Sequence, residues 1–247
     1  MARHTVRKSL ERVFQDEKPL GESDPDFIDM FNRFGYSKVA KHGLLNDQQR
    51  SLVVLSSLIG CQAVEEFAVM AEVALKVGVH PAALKEILYQ SVAVLGMGPI
   101  FPLLRVTNEL LESKNVKLPL PQRSLPDDET VTDNIQRMRV VLQAADSPSG
   151  PALYKADSAL GQLQLWEDEY TYGNCYARPI LDVGMRELST WCLLLALGDV
   201  DEELERSINT NAAAGNDKTL LTDAVLQCAP YIGFPRVRHA LRLLEER

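Results

Sequence analysis

The chain has 247 residues, 46% hydrophobic and 24% charged, enough for two lobes or one large domain with a substantial core. The formal net charge is -8 and there is no Lys/Arg-rich run, which argues against nucleic acid and anionic membrane as partners, since both need a basic face. No apolar run reaches the roughly 18 residues that a membrane-crossing helix needs, and the charged N-terminus is unlike an export signal.

Residues 5–15 predict a short amphipathic helix with Val6, Leu10, Val13 and Phe14 on one side, either docked or acting as a partner-binding arm. LGESDPDF reads as a turn. Residues 26–34 then place Phe27, Met30, Phe31 and Phe34 at helical spacing as a packing face. Asn46 and Gln49 form a capping-box pattern ahead of a helix that buries Leu52, Leu55, Leu58 and Ile59 and ends at Gly60. A second helix over 64–77 turns Phe67, Met70, Ala71, Ala74 and Leu75 inward and closes at Gly78. His80-Pro81 starts a third, with proline in its favoured first turn, and a break at 96–99 leads into a fourth that runs to about Ser113. The proline-rich stretch 114–128 reads as a linker. Residues 129–145 predict a helix with Ile135, Met138, Val141 and Leu142 facing in. Residues 153–172 end in the aromatics Trp166, Tyr170 and Tyr172. Asp182 caps a further helix with Leu188, Trp191, Cys192 and Leu195 on its stripe, and a helix over 236–246 ends the series. No run alternates as a strand would, so strands should be few or absent.

Residues 50–98 and the stretch starting at Arg186 carry the same anchors in the same order. Gly60 answers Gly198, Gly78 answers Gly215, Gln90 answers Gln227 and Gly96 answers Gly233. A repeat of this length predicts two similar helical units, with one residue inserted in the first helix or the turn after it.

Several phrases carry a family resemblance: DPDFIDMFNRF, SSLIGCQAVEEF and LKEILYQSVAVLGM in the first copy, KNVKLPLPQRS between, and ARPILDVGMREL, LLLALG and LQCAPYIGFPRVRHAL in the second. In these the chain resembles the carboxymuconolactone decarboxylase family. The resemblance implies an all-α chain of two tandem alkylhydroperoxidase D-like helical repeats. It divides into an N-terminal helical arm (1–23), a first repeat (24–113), a linker (114–128) and a second repeat (129–247). It also implies a homo-oligomer, a trimer of two-repeat chains, that acts on a small-molecule substrate without a cofactor. Three activities compete: a carboxy-lyase acting on a carboxylated or lactone substrate, a thiol peroxidase with peroxiredoxin-type activity, and a binding or scaffold protein that kept the fold. The family's histidine falls on Met70 and Ser207, neither of which titrates near neutral pH. The upstream glutamate of the peroxidase relatives falls on Ser51 and Glu187, and Cys61 has no second cysteine at their CxxC spacing.

The candidate catalytic residues are therefore Cys61, Glu65 and Glu187. Cys61 is a nucleophile or a plain buried thiol. Acidic neighbours in sequence raise its pKa. Glu65, with Glu66, is either a proton-transfer carboxylate or simply favoured by a helix N-terminus. Glu187 is a relay acid or a solvated first-turn glutamate. The candidate substrate-binding residues are Gln90, Gln227, Tyr231 and Arg178. A buried glutamine must satisfy its amide, on backbone or on a ligand. The planar fork of Arg178 suits a substrate carboxylate or a salt bridge. The four histidines show no ligand spacing, so no metal is expected. Cys61, Cys175, Cys192 and Cys228 contain no CxxC, which suits a reducing, cytoplasmic compartment.

Overall fold

The computed structural model describes residues 20–121, 128–143 and 157–246, and among these every regular element is helical. The predicted arm over 5–15 lies outside them. The LGES segment expected as a turn forms one helical turn, α1 (Leu20–Ser23), and α2 (Pro25–Phe31) follows with proline in its first turn. Next come a π-helical turn (Asn32–Tyr36) and a 3-10 turn (Val39–Lys41). The first unit is α3 (Asp47–Gly60), α4 (Val64–Lys76), α5 (Pro81–Leu95) and α6 (Met97–Ser113). Then come α7 (Asp128–Gln143), α8 (Ala159–Asp168) and a second π-helical turn (Glu169–Cys175). The second unit is α9 (Val183–Leu197), α10 (Asp201–Ala213), α11 (Lys218–Ile232) and α12 (Phe234–Glu245).

Local chemistry sets these boundaries. The Asn46 side chain accepts from the Gln48 and Gln49 amides while Gln49 reaches back to the Asn46 amide, so both halves of the capping box are made. His80 caps α5 through Nδ1, which accepts from Ala82 N at 3.1 Å. Asp182 caps α9 through Met185 N at 2.7 Å. The helix ends of the two units match in backbone conformation. Gln62 and Asp199 have φ 55° and 57°, Gly78 and Gly215 have 94° and 88°, and Gly96 and Gly233 have 75° and 80°.

The helices α4, α5 and α6 begin at 64, 81 and 97, and α10, α11 and α12 begin at 201, 218 and 234, the same intervals. Helix α9 has 15 residues and α3 has 14, so the extra residue lies within the first helix of the second unit. This fits two tandem units and corrects one anchor: Gly198 corresponds to Cys61, and Gly60 does another job. A Cβ on Gly60 would stand 2.5 Å from Leu193 O and 2.8 Å from Ala196 Cβ, so its missing side chain lets α3 approach α9.

The α3–α9 contact is the most extensive between any two elements. Helix α5 packs on α9 as well as on α3, and α11 packs on α3 as well as on α9. One continuous apolar core follows, running from Leu55 and Phe67 through Leu84 to Trp191 and Val225. The predicted inward stripes of α3 and α4 hold, with Leu55, Ile59 and Phe67 fully buried, and on α5 Leu84 and Ile87 are fully buried too. The stripe on α2 does not. Phe27 and Met30 are 59% and 63% exposed, because only Phe31 and Phe34 reach the Tyr36, Tyr231 and Phe234 rings. Helix α7 lies across the second π turn and α10, with Met138 buried against Cys175 and Tyr176. Val141 and Leu142, expected to face in with it, carry no described side chains.

Candidate functional site

Glu187 is the acid at the centre of the second unit. Sequence alone leaves it open to solvent in a first helical turn, but it is 5% exposed. Helix α9 turns it under the second π turn, where Tyr176 Oη donates to Oε1 at 2.6 Å and Thr210 Oγ1 lies 2.5 Å from Oε2. Burial raises the Glu187 carboxyl above the ordinary carboxylate range, and the two hydroxyls offset only part of that. Thr210 Oγ1 is the donor to Oε2 and also lies 3.3 Å from Ser207 O. Burial also pushes the Tyr176 and Tyr172 phenols up, with the nearby Glu187 charge adding to it. The position matching the family's histidine, Ser207, sits one helical turn from Thr210. Its hydroxyl and carbonyl are held by Asn211 Nδ2 at 3.3 and 2.8 Å.

Next to this centre is a buried ion network. Arg186 is wholly buried and donates to Glu86 Oε2 at 2.9 Å, Gln90 Oε1 at 3.2 Å and Arg178 O at 2.8 Å. Its guanidinium lies 5.5 Å from the Tyr176 ring centroid. Arg178 donates from Nε to Glu86 Oε1 at 2.6 Å and stacks on Tyr89. The two arginines therefore clamp one buried carboxylate of the protein itself. Gln90 Nε2 turns to Arg186 O at 3.1 Å. In the mirrored place Gln227 accepts from Arg50 Nε at 3.1 Å and donates to Val39 O and His42 O. Both glutamines thus satisfy their amides on the chain itself.

The first unit's counterpart is apolar. Tyr36 Oη and Tyr231 Oη lie 3.9 and 3.7 Å from Met70 Sδ, and Phe31 meets both rings edge-on. Ser51, at the place of Glu187, bonds only to Asp47 O. Tyr231 is thereby placed against Met70, away from Glu187.

Cys61 stands at the end of α3. Its acidic sequence neighbours do not surround it. Arg236 Nη1 approaches Sγ at 3.8 Å. Burial nevertheless raises the thiol above its ordinary value, outweighing the guanidinium. Glu65 and Glu66 are exposed in the first turn of α4, away from the bundle interior. Cys61, Cys175, Cys192 and Cys228 are all free thiols. No cluster of His, Cys, Asp and Glu suited to a metal occurs among the described residues. Of the sequence candidates the structure brings Gln90, Arg178 and Glu187 to one side of α9. It leaves Cys61, Glu65, Gln227 and Tyr231 elsewhere.

Sequence reading missed Tyr176, Thr210, Arg186 and Glu86. The available signal was the acid one residue after Arg186, in a helix whose remaining stripe is apolar.

A separate open cleft of ≈ 610 Å3 lies at the head of α3 and α9, lined by Asn46, Leu52, Asp182, Met185, Leu188 and Asn216 among others. None of the sequence candidates lines it.

Residues 25–109 match the carboxymuconolactone decarboxylase family. A solved chain from Burkholderia xenovorans LB400, described provisionally as a gamma-carboxymuconolactone decarboxylase subunit, is similar at 18% identity with a TM-score of 0.54. The match covers 99% of this chain and 96% of that one, and at this identity the likeness is one of fold. No curated protein matches this chain. Among the described residues no helix is long and apolar enough to cross a membrane.

Proposed function

From the match of residues 25–109 to the carboxymuconolactone decarboxylase family we propose a carboxy-lyase with one working centre, Glu187, acting on a small carboxylated or lactone substrate. The observation that carries it is the buried carboxyl held by two hydroxyls in only one of the two units. Decarboxylation breaks the bond to the leaving carboxylate and releases CO2. The electron pair passes into the conjugated carbonyl, and a carbon must then take a proton. A carboxyl with a raised pKa is protonated where an ordinary glutamate is not. The half-buried Thr210 relays that proton: its Oγ1 hydrogen turns from Glu187 and passes to the substrate carbon as the proton of the neutral Glu187 replaces it on Oγ1. Tyr176 holds the carboxyl in place, and Arg186, stacked on the Tyr176 ring, fixes the phenol.

The test is CO2 release from 4-carboxymuconolactone and related lactone acids, with Glu187→Gln and Ser51→Glu alongside. The reading expects turnover that is lost in Glu187→Gln and unchanged in Ser51→Glu. Turnover that survives Glu187→Gln sinks it.

A binding protein that kept the fold is the second reading, favoured because Gln90, Gln227 and Arg178 are all engaged by the chain's own groups. The thiol peroxidase reading is the weakest, because the Cys61 thiol is raised and Cys175, Cys192 and Cys228 are buried. Free thiols suit a cytoplasmic setting. Exposed Phe27, Met30, Met97, Phe101, Trp166 and Phe234 support a homo-oligomer, a trimer of these chains. Sedimentation velocity tests it, and a monomer at micromolar concentration overturns it.

A further inference from the structure

Beside the cleft at the head of α3 and α9 the two units differ at one helical position. Gln48 and Gly184 are each two residues past their caps, Asn46 and Asp182. In the first unit the Gln48 side chain lies over the α4–α5 turn, and Nε2 donates to Gly78 O at 3.1 Å. It stands 3.0 Å from where a Cβ on Gly78 would be. In the second unit Gly184 has no side chain to do this; a Cβ on it would stand 3.2 Å from Asn216 Oδ1, whereas nothing lies within 4 Å of a Cβ placed on Gly215. Beside Gly215 the second unit has no counterpart of the Gln48 side chain, and Gln48 itself lines the cleft.

The lining sets the chemistry of an occupant. Leu52, Met185 and Leu188 are buried and form an apolar floor, with the half-buried Leu220 as one wall. Asn46, Gln49 and Asn216 contribute amides. Asp182 is the one ionisable side chain in the lining, and its Oδ1 is engaged by Met185 N at 2.7 Å. Among the described residues the lining holds no cationic side chain and one carboxylate, Asp182, whose charge disfavours an anionic occupant. The volume of ≈ 610 Å3 falls within the roughly 300–1,000 Å3 of small-molecule sites. We propose that this cleft is a second ligand site, separate from Glu187, for an uncharged, largely apolar small molecule bearing a carbonyl or hydroxyl group.

The experiment is a fluorescence titration of the full chain with N-phenyl-1-naphthylamine. One saturable site per chain is expected. Leu220→Trp, which fills the wall, and Gly184→Gln, which restores the first unit's side chain, should each weaken binding at least about tenfold, with the far-UV circular dichroism unchanged. Glu187→Gln should leave the probe's affinity unchanged, which keeps this site's failure distinct from failure of the lyase reading. Competition on the unaltered chain tests the charge preference without relying on any variant. 4-Phenyl-2-butanone should displace the probe at least about tenfold better than 4-phenylbutanoate. The proposal is overturned by a titration that does not saturate, by folded variants that bind as before, or by equal or stronger displacement by the carboxylate.

Discussion

Arg186 and Gln90 meet across the two units, Nη1 to Oε1 at 3.2 Å, and Arg50 and Gln227 repeat the meeting in mirror image, Nε to Oε1 at 3.1 Å. Each arginine lies on the first helix of one unit and each glutamine on the third helix of the other. The pairs therefore tie the units together at the point where α3 and α9 pack. Replacing either glutamine by leucine keeps the bulk, removes the acceptor and leaves a donor unmatched, wholly buried on Arg186 and half-buried on Arg50. Gln90→Leu and Gln227→Leu should each cost about 1–3 kcal/mol in urea unfolding. Gln227→Leu should also speed amide exchange around Val39 and His42, whose carbonyls hold its amide. An unchanged midpoint in both variants would contradict the clasp.

Arg186→Met tests the ion network. Glu86 is 1% exposed and has only Arg178 left once Arg186 is removed. Breaking one partner of a buried pair costs about 3–5 kcal/mol, because the remaining charge stays out of water. The double variant Arg186→Met with Glu86→Leu should recover much of that loss, since an apolar pair of similar size needs no counter-charge. Chemical denaturation of the three variants decides it. A double variant less stable than Arg186→Met would mean that Glu86 does something other than neutralise the arginine.

Most of the fold was legible because apolar spacing and caps report on local structure. Asn46 with Gln49, His80-Pro81 and Asp182 mark real helix starts, and the stripes of α3 and α4 are buried as read. The candidate site was less legible, because burial is decided by what packs on a helix from far along the chain. Glu187 follows Arg186 in a first turn, where spacing leaves a solvated glutamate and a relay acid both open, and Tyr176 and Thr210 cover it from two other elements. Phe27 and Met30 err the other way. Their spacing is helical, but among the described residues no element covers their side of α2. Cys61 drew acidic neighbours from its sequence and an arginine from its fold.

Gly60 shows what spacing alone misassigns. Read as the glycine that stops a helix, it is a helical residue at the closest approach of α3 to α9, and its missing Cβ would stand 2.5 Å from Leu193 O. Gly60→Ala must push two buried helices apart and should cost about 1–3 kcal/mol. Gly198→Ala meets nothing nearer than 3.5 Å, but its φ of 75° disfavours a side chain, so a loss of about 1 kcal/mol is expected there. Thermal unfolding of both should place Gly60→Ala below Gly198→Ala. The reverse order would mean that the α3–α9 contact yields easily.

Thiol accessibility separates the peroxidase reading from the others. Cys61 is half-buried and Cys175, Cys192 and Cys228 are buried. Burial pushes the Cys175 thiol up to about 11 and raises Cys61 as well. Titration of the native chain with an aromatic disulfide reagent should therefore modify Cys61 first, and more slowly than a free thiol at neutral pH, because only the thiolate attacks. Arg236→Leu removes the one cation at the sulfur and should slow it further. A Cys61 faster than free cysteine would restore a reactive thiol.

The charge state of Glu187 has a stability consequence with a definite sign. Its folded-state pKa lies above its unfolded value, with burial as the largest cause. The folded chain therefore holds this proton more tightly than the unfolded chain. The stability it contributes is full below the unfolded pKa and is lost as pH rises through the raised folded value. Glu187→Gln keeps the shape of the neutral acid and cannot ionise, so its stability should not show that part of the decline. Urea unfolding across this range should give wild-type and variant curves that are closest at the acid end and separate as pH rises, with the variant gaining. If the pair instead converge with rising pH, Glu187 is stabilised as a carboxylate by Tyr176 and Thr210. A donor of protons at that position, and with it the lyase reading, is then lost.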